Sequence, residues 1–218
     1  MKMYGFWRSL AAYRVRVALK LKGLDCPEEP VNLLAGAQHD PAYLTINPQG
    51  AVPALVLDDG VILTQSMAIM EYLDEQWPKP NPLMPVDPQG RARVRSLCHL
   101  SISDAHPLAV PRIRKYLSVD LALGEEGTAK WLKHWSDVCL RTFEKRLSSE
   151  PETGRYCHGD TLSMADIALA SQVIGSTVYF GCSLAHYPVV QAHYEDLAKH
   201  DAFASSHPLR QAGAPASV

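Results

Sequence analysis

Asn47-Pro48-Gln49-Gly50-Ala51-Val52-Pro53, followed about a dozen residues later by Gln65-Ser66, is the stretch that decides how this chain folds. Pro53 opens a strand-like run that reaches Leu57. A proline cannot donate to a sheet ladder, so this strand lies at an edge or begins irregularly. A cis bond between Val52 and Pro53 would turn the amide and carbonyl of Val52 outward, toward a ligand instead of the sheet. The turn Asp58-Asp59-Gly60 leads to a second strand, Val61 to Leu63, and Gln65-Ser66 then opens a helix. Unpaired N–H groups and a hydroxyl at a helix start form an anion site. The two segments together suit an extended ligand with a peptide-like middle and a carboxylate at one end.

Working outward, residues 2–6 read as a strand, 11–22 as a helix and 29–32 as a second strand. A loop with a short helix, the hairpin and a helix over 66–76 follow. The first helix buries Val15, Ala18 and Leu19 at one-turn spacing and stops at Gly23, a natural residue just past a helix end. A βαβ unit followed by ββα predicts a small mixed sheet with helices on its faces. Residues 77–88 carry Pro78, Pro80, Pro82, Pro85 and Pro88, a density that no helix or central strand survives. We read residues 1–80 as one domain, 81–88 as a proline-rich linker and 89–218 as an all-helical domain. Its helices are predicted over 91–116, 128–148, 164–177 and 188–199. Pro107 and Pro111, one turn apart, should bend the first of these. Thr161-Leu162-Ser163-Met164-Ala165-Asp166 marks a sharp helix start: Ser163 caps and Asp166 answers three residues later.

The chain has 218 residues, 47% of them hydrophobic, and a formal net charge of −2. That length supports proper cores, and the near-neutral charge argues against a nucleic-acid surface. No charged-then-apolar leader or long apolar span occurs, so neither export nor membrane insertion is signalled. Cys26, Cys98, Cys139, Cys157 and Cys182 are scattered and form no CxxC, which predicts reduced, structural thiols in a cytoplasm. His186, His193, His200 and His207 recur every seven residues, but Pro188 and the irregular stretch after residue 200 argue against one metal-binding helix face.

With these features in register, the chain resembles the glutathione transferase superfamily along essentially its whole length. Within it, Tyr4-Gly5-Phe6-Trp7-Arg8-Ser9-Leu10-Ala11-Ala12-Tyr13-Arg14-Val15-Arg16-Val17-Ala18-Leu19 is similar to the zeta class, which shows a Ser-Ser-Cys-x-Trp-Arg-Val-Arg run here. Asp104-Ala105-His106-Pro107-Leu108, then Arg112 and Lys115-Tyr116-Leu117, is a second zeta-like stretch. The resemblance implies a thioredoxin-like N-terminal domain, an all-helical C-terminal domain that completes the substrate cleft, glutathione as cofactor, and a homodimer. It also implies cis–trans isomerisation of a maleyl keto acid, a small dicarboxylate, with the maleylpyruvate isomerases of aromatic catabolism the nearest match. Maleylacetoacetate isomerase, a general detoxifying transferase and a non-catalytic binding module of the same fold are the alternatives.

The chain departs from the family's pattern at three places. Leu10 and Ala11 stand where the Ser-Ser-Cys run has its other two members. Ala109-Val110 replaces an asparagine pair, and Gly175-Ser176-Thr177-Val178-Tyr179-Phe180 lacks an arginine often found there. These changes imply an altered pocket for the substrate carboxylates.

The resemblance assigns roles residue by residue. Gln38, Val52, Gln65, Ser66 and His106 match glutathione-binding positions: Val52 for the cysteinyl backbone, Gln65 and Ser66 for the γ-glutamyl carboxylate, Gln38 and His106 for the glycyl end. The chemistry needs a thiolate near neutral pH, whereas a free thiol titrates near about 8.5. Ser9 and the amides of Leu10 and Ala11, at the start of the first helix, can donate to that sulfur. Arg8, beside Ser9, and Arg112, or Arg114 in its place, are the candidate anchors for the dianionic substrate. Arg14 and Arg16 read as structural or surface groups, since helix spacing points them away from Ser9.

Overall fold

The structure, a computed structural model, describes residues 1–215. Its contacts divide the chain into two compact units, Met1–Pro82 together with the segment from His200 onward, and Leu83–Lys199.

The first unit contains β1 (Lys2–Gly5), α1 (Leu10–Leu21), β2 (Glu28–Pro30), α2 (Pro41–Leu44), β3 (Ala54–Val56), β4 (Ile62–Thr64), α3 (Ser66–Gln76) and α9 (Asp201–Ser206). The strands form a mixed sheet in the order β2-β1-β3-β4. β1 runs parallel to β2, with Met3 opposite Glu28, and antiparallel to β3, with Met3 opposite Leu55. Leu55 in turn faces Leu63 across the β3–β4 hairpin. That fits the thioredoxin-like arrangement: a parallel pair from the βαβ unit and an antiparallel hairpin after it. A Cβ at Gly5 would displace the Glu28 carboxylate that crosses over it and so break the grip of Arg16 on that carboxylate.

α1 is buried on nearly every side, which the one-turn spacing of Val15, Ala18 and Leu19 did not foretell. α3 packs along it, and so does α9, a helix the sequence reading did not anticipate. Ala202 and Phe203 are buried there, and Lys20 donates to Ser205 Oγ at 2.7 Å. Residues 89–218 were expected to form one helical domain, whereas the segment from His200 closes the first unit instead. The C-terminus of α1 is sealed by Gly23 at φ +67°, with the Gly23 amide on Lys20 O and the Leu24 amide on Leu19 O, a Schellman arrangement. Beyond it the buried Lys22 ammonium meets Asp74 at 2.5 Å and the Asn81 carbonyl at 2.6 Å. Asn81 Nδ2 returns a bond to Leu21 O at 2.8 Å, so the proline-rich segment is fastened as it leaves this unit.

The second unit contains α4 (Pro88–His99), α5 (Pro111–Lys115), α6 (Gly124–Ser149), α7 (Met164–Ile174) and α8 (Pro188–Leu197). α7 is buried along its entire length, with α4, α6 and α8 packed on it, and apart from Asp166, Ser171 and Gln172 its sequence is accordingly apolar. Asp166 anchors its start: the carboxylate accepts from the amides of Ser163 and Cys157 and from Ser163 Oγ, each at 2.8 Å. Arg93 ties the loop before α7, donating to Glu150, Thr153 Oγ1 and the Cys157 carbonyl.

The helix expected over 91–116 is not continuous. After α4 the backbone widens to π-type spacing over Leu100–Ala105, tightens to a 3-10 turn over His106–Ala109, and breaks at Val110, which is extended (φ −69°, ψ 156°). Pro107 and Pro111 each remove an amide, and the residue before a proline is pushed out of the helical region, as Val110 is. Trp131 of α6 fastens this irregular stretch by donating to Leu108 O at 2.9 Å.

Candidate active site

The site is built from the loops that follow β1 and precede β3, and from the start of α3. After β1 the chain turns over residues 6–9. Ser9 is the N-cap of α1, extended at φ −71° and ψ 118°, and its Oγ accepts from the Ala12 amide at 3.1 Å. This cap uses only the oxygen's lone pairs. The Ser9 hydroxyl hydrogen, and the amides of Leu10 and Ala11, have no acceptor among the described residues. Three donors therefore converge on the positive end of a helix of 12 residues, next to the half-buried Arg8.

The turn that carries Ser9 is held from beneath. The Phe6 carbonyl accepts from the Ser9 amide and from Arg16 Nη2, both at 2.9 Å. The same guanidinium grips both oxygens of Glu28 at 2.6 Å, linking the turn to β2. Arg16 is 5% exposed and Arg14 only 1%. The reading that allowed them to be surface groups thus gives way to burial. A sequence signal did exist: α1 has no polar face on which two arginines could be solvated.

The segment 47–53 is rigid. Asn47, buried, accepts from the Gln49 amide at 3.1 Å and donates to Ala51 O at 2.7 Å. Tyr43 donates to the same carbonyl at 2.6 Å, and burial pushes its phenol up to about 12, so it stays a donor. Gly50 is at φ +60°, and a Cβ there would press on the Gln38 carbonyl and the His39 ring. The Val52-Pro53 peptide is cis. The Val52 side chain joins a buried cluster with Phe6, Val31 and Tyr43, against which Trp7 packs, while its backbone amide and carbonyl have no partner among the described residues. Gln38, on the neighbouring 3-10 turn, has a buried Oε1 with no hydrogen-bond partner among the described residues.

Gln65 precedes α3 at φ +68°, a left-handed conformation that a side-chain-bearing residue adopts at a cost of about 1–3 kcal/mol. It donates to Gln49 Oε1 at 2.8 Å, which joins the two halves of the sequence motif. Ser66 is 3% exposed, its Oγ accepts from Arg14 Nε at 3.0 Å, and its hydroxyl hydrogen has no acceptor among the described residues. The amides of Ser66, Met67 and Ala68 are likewise without acceptors among the described residues. Ser9, Leu10, Ala11, Gln38, Val52, Gln65 and Ser66 all belong to the first unit. His106 and Arg112 belong to the second, His106 half-buried where π-type spacing gives way to the 3-10 turn and Arg112 exposed on α5.

Four of the protein's own thiols are unsuited to nucleophilic work. All five cysteines are free, and burial raises the thiols of Cys26, Cys139, Cys157 and Cys182 above their ordinary value. Nor do the four regularly spaced histidines gather. His200 and His207 accept from the Ala202 and Leu209 amides, and His193 Nδ1 bonds Val189 O. No group of three or more metal-ligating side chains occurs among the described residues. No helix among them is long and apolar enough to cross a membrane.

Residues 1–75 match the family model "Glutathione S-transferase, N-terminal domain" and residues 122–205 match "Glutathione S-transferase, C-terminal domain". The chain belongs to the glutathione S-transferase family. Within it, the chain stands with the zeta-class isomerases. It is 39% identical to the maleylacetoacetate isomerase of Pseudomonas aeruginosa over 219 residues, covering 100% of both chains. Among solved structures, the maleylacetoacetate isomerase of Methylobacterium extorquens AM1, crystallised with malonate and glutathione, matches with a TM-score of 0.96 and 50% identity over 99% of this chain and 100% of that one. A maleylpyruvate isomerase described as a bacterial glutathione S-transferase of the zeta class matches with a TM-score of 0.94 and 37% identity, over 99% and 100%. A glutathione S-transferase needs a cradle for a tripeptide, and the unpaired groups at Val52, Gln38, Ser66 and Ser9–Ala11 fit one.

Proposed function

We propose that this protein is a glutathione-dependent cis–trans isomerase of a maleyl keto acid, with maleylpyruvate as substrate and fumarylpyruvate as product. The observation that carries the reading is the set of three unused donors at the start of α1, the Ser9 hydroxyl and the Leu10 and Ala11 amides, in a protein four of whose five thiols are raised by burial.

The residues divide the work. The amide and carbonyl of Val52 would pair with the cysteinyl backbone of glutathione, as an added strand pairs with a sheet edge. Gln65, Ser66 and the unpaired amides opening α3 would take its γ-glutamyl carboxylate. Gln38 and His106 would take the glycyl end. When bound, glutathione supplies a thiol whose ionised form adds reversibly to a conjugated double bond. Ser9, Leu10 and Ala11 hold that sulfur ionised near neutral pH; lowering a thiol by about two units requires about 2.7 kcal/mol of selective stabilisation. Hydrogen bonds to an ionised acceptor, at about 1.5–3 kcal/mol each, are sufficient. Arg8 and Arg112 bind the substrate's carboxylates and counter the charge that develops on its carbonyl oxygen.

A second reading, maleylacetoacetate isomerase, is favoured by the 50% identity to a protein of that name. Following the absorbance of each keto acid, with and without glutathione, tests both. Turnover that needs glutathione but consumes none supports isomerisation, and the larger kcat/KM identifies the substrate. Glutathione consumed with a chlorinated aromatic would instead support a detoxifying transferase, and silence in every assay a binding module. The five free thiols support a reducing, cytoplasmic setting, and a homodimer, usual in the family, is the expected assembly.

A further inference from the structure

We propose that Arg14 is a positioning residue that fixes Ser66 as a hydrogen-bond donor, and thereby makes this end of the site select a carboxylate over a carboxamide. The proposal rests on the reading that Ser66 receives the γ-glutamyl carboxylate.

Arg14 lies within α1 and Ser66 opens α3, 52 positions away, yet Arg14 Nε donates to Ser66 Oγ at 3.0 Å and both residues are buried. A guanidinium has five donors, no acceptor, and a charge that is never lost under ordinary conditions. Ser66 Oγ must therefore accept from Arg14, and its hydroxyl hydrogen has nothing to gain by pointing back. That hydrogen has no acceptor among the described residues, so the remaining use of the hydroxyl is donation to a ligand. The amides of Ser66, Met67 and Ala68 are in the same condition, so every group in this stretch is a donor. A carboxylate can accept from all of them, whereas a carboxamide sets its own NH2 against one. Arg14 need touch no ligand to do this, since it acts by deciding which way Ser66 faces.

The test compares glutathione with its analogue whose γ-glutamyl α-carboxylate is amidated, using dissociation constants from titration calorimetry. The measured quantity is the ratio of the two constants, which a loss of general fold integrity would leave unchanged. Ser66→Ala is expected to reduce this acid-over-amide preference about tenfold, the scale of one hydrogen bond to a charged group. Arg14→Gln should do the same, because a glutamine amide can accept and so lets Ser66 turn inward. The double variant should lose about tenfold, not about a hundredfold, because both changes remove one interaction. Arg14→Lys, again a donor without an acceptor, should keep the parent ratio to within about threefold. A parent ratio in Arg14→Gln, or multiplied losses in the double variant, overturns the proposal. Should melting curves show Arg14→Gln unfolded, Arg14→Lys decides: a kept ratio supports the proposal and a lost one overturns it. A parent ratio in Ser66→Ala would instead remove the carboxylate reading beneath it.

Discussion

Ser9→Ala is expected to reduce stability and activity by two separate routes, and Ser9→Asp pulls them apart. The alanine deletes the oxygen that accepts from the Ala12 amide at 3.1 Å. Loss of such a cap costs about 1 kcal/mol, a fall of about 2–4 °C in melting temperature for a chain of this size. It also deletes the hydroxyl hydrogen, which has no acceptor among the described residues and is assigned to the bound sulfur. A hydrogen bond to an ionised acceptor is worth about 1.5–3 kcal/mol, which corresponds to a loss of about ten- to a hundredfold in turnover near neutral pH. Because less of the sulfur is ionised, the alkaline shift of the pH–rate curve should be about one unit or more. Aspartate caps a helix as well as serine does and suits its positive end, so Ser9→Asp should melt close to the parent. It donates nothing, however, and places a like charge beside the sulfur, so its turnover should fall below that of Ser9→Ala. The assay is the absorbance change of the maleyl keto acid with saturating glutathione over a range of pH, alongside melting curves. An unmoved pH–rate curve in the alanine variant, or parental turnover in the aspartate variant, would refute the donor role of Ser9.

Arg8→Met should lower kcat/KM for the keto acid at least about tenfold while calorimetry finds glutathione affinity little changed; a collapse of glutathione affinity instead would remove Arg8 from the substrate side. Asn47→Ala strips two hydrogen bonds from a buried turn, so chemical denaturation should show a loss of about 1–3 kcal/mol, together with weaker glutathione binding through the displaced Val52. Asp74→Ala leaves the buried Lys22 ammonium with the Asn81 carbonyl alone and is expected to destabilise by about 3–5 kcal/mol in the same experiment. Hydrogen bonds from Arg146, and from Arg93 after it, hold the Glu150 carboxyl below its ordinary value. The stability this provides is present above the ordinary glutamate range, near about 4.3, and is lost as pH falls through the folded-state value. Glu150→Gln should therefore flatten the acid limb of the melting temperature against pH, and an unchanged limb would show that the clamp is inactive.

Local punctuation made much of the fold legible. Gly23, the Asp58-Asp59-Gly60 turn, Ser66 and the Ser163–Asp166 pair each act within a few residues of themselves, and there the expected boundaries lie close to those found. The stretch from 100 to 120 was less legible, because prolines announce that a helix must yield but not how, and the compromise there depends on packing such as Trp131 on Leu108. Of the site, the cap at Ser9 and the loop at Val52 could be read from the sequence. The burial of Arg14 and Arg16 was signalled only by the lack of a polar face on α1, and what they bind was hidden, since their partners Ser66 and Glu28 lie 52 and 12 positions away. Gln65's left-handed backbone was equally hidden, glutamine having no intrinsic taste for it. Two of the regularly spaced histidines, His200 and His207, serve as helix caps, a local use that their seven-residue period does not announce.

The return of α9 to α1 has a consequence for how the molecule is made. The unit that emerges first from a ribosome lacks Phe203 and Ala202 until residues some 120 positions further on have been translated, so its interior is completed after the whole intervening helical unit has been synthesised. A fragment cut at the proline-rich segment would carry every residue of the first unit proposed to hold glutathione and still expose one flank of α1 to water. Grafting this half onto another scaffold would therefore require bringing the distant helix with it.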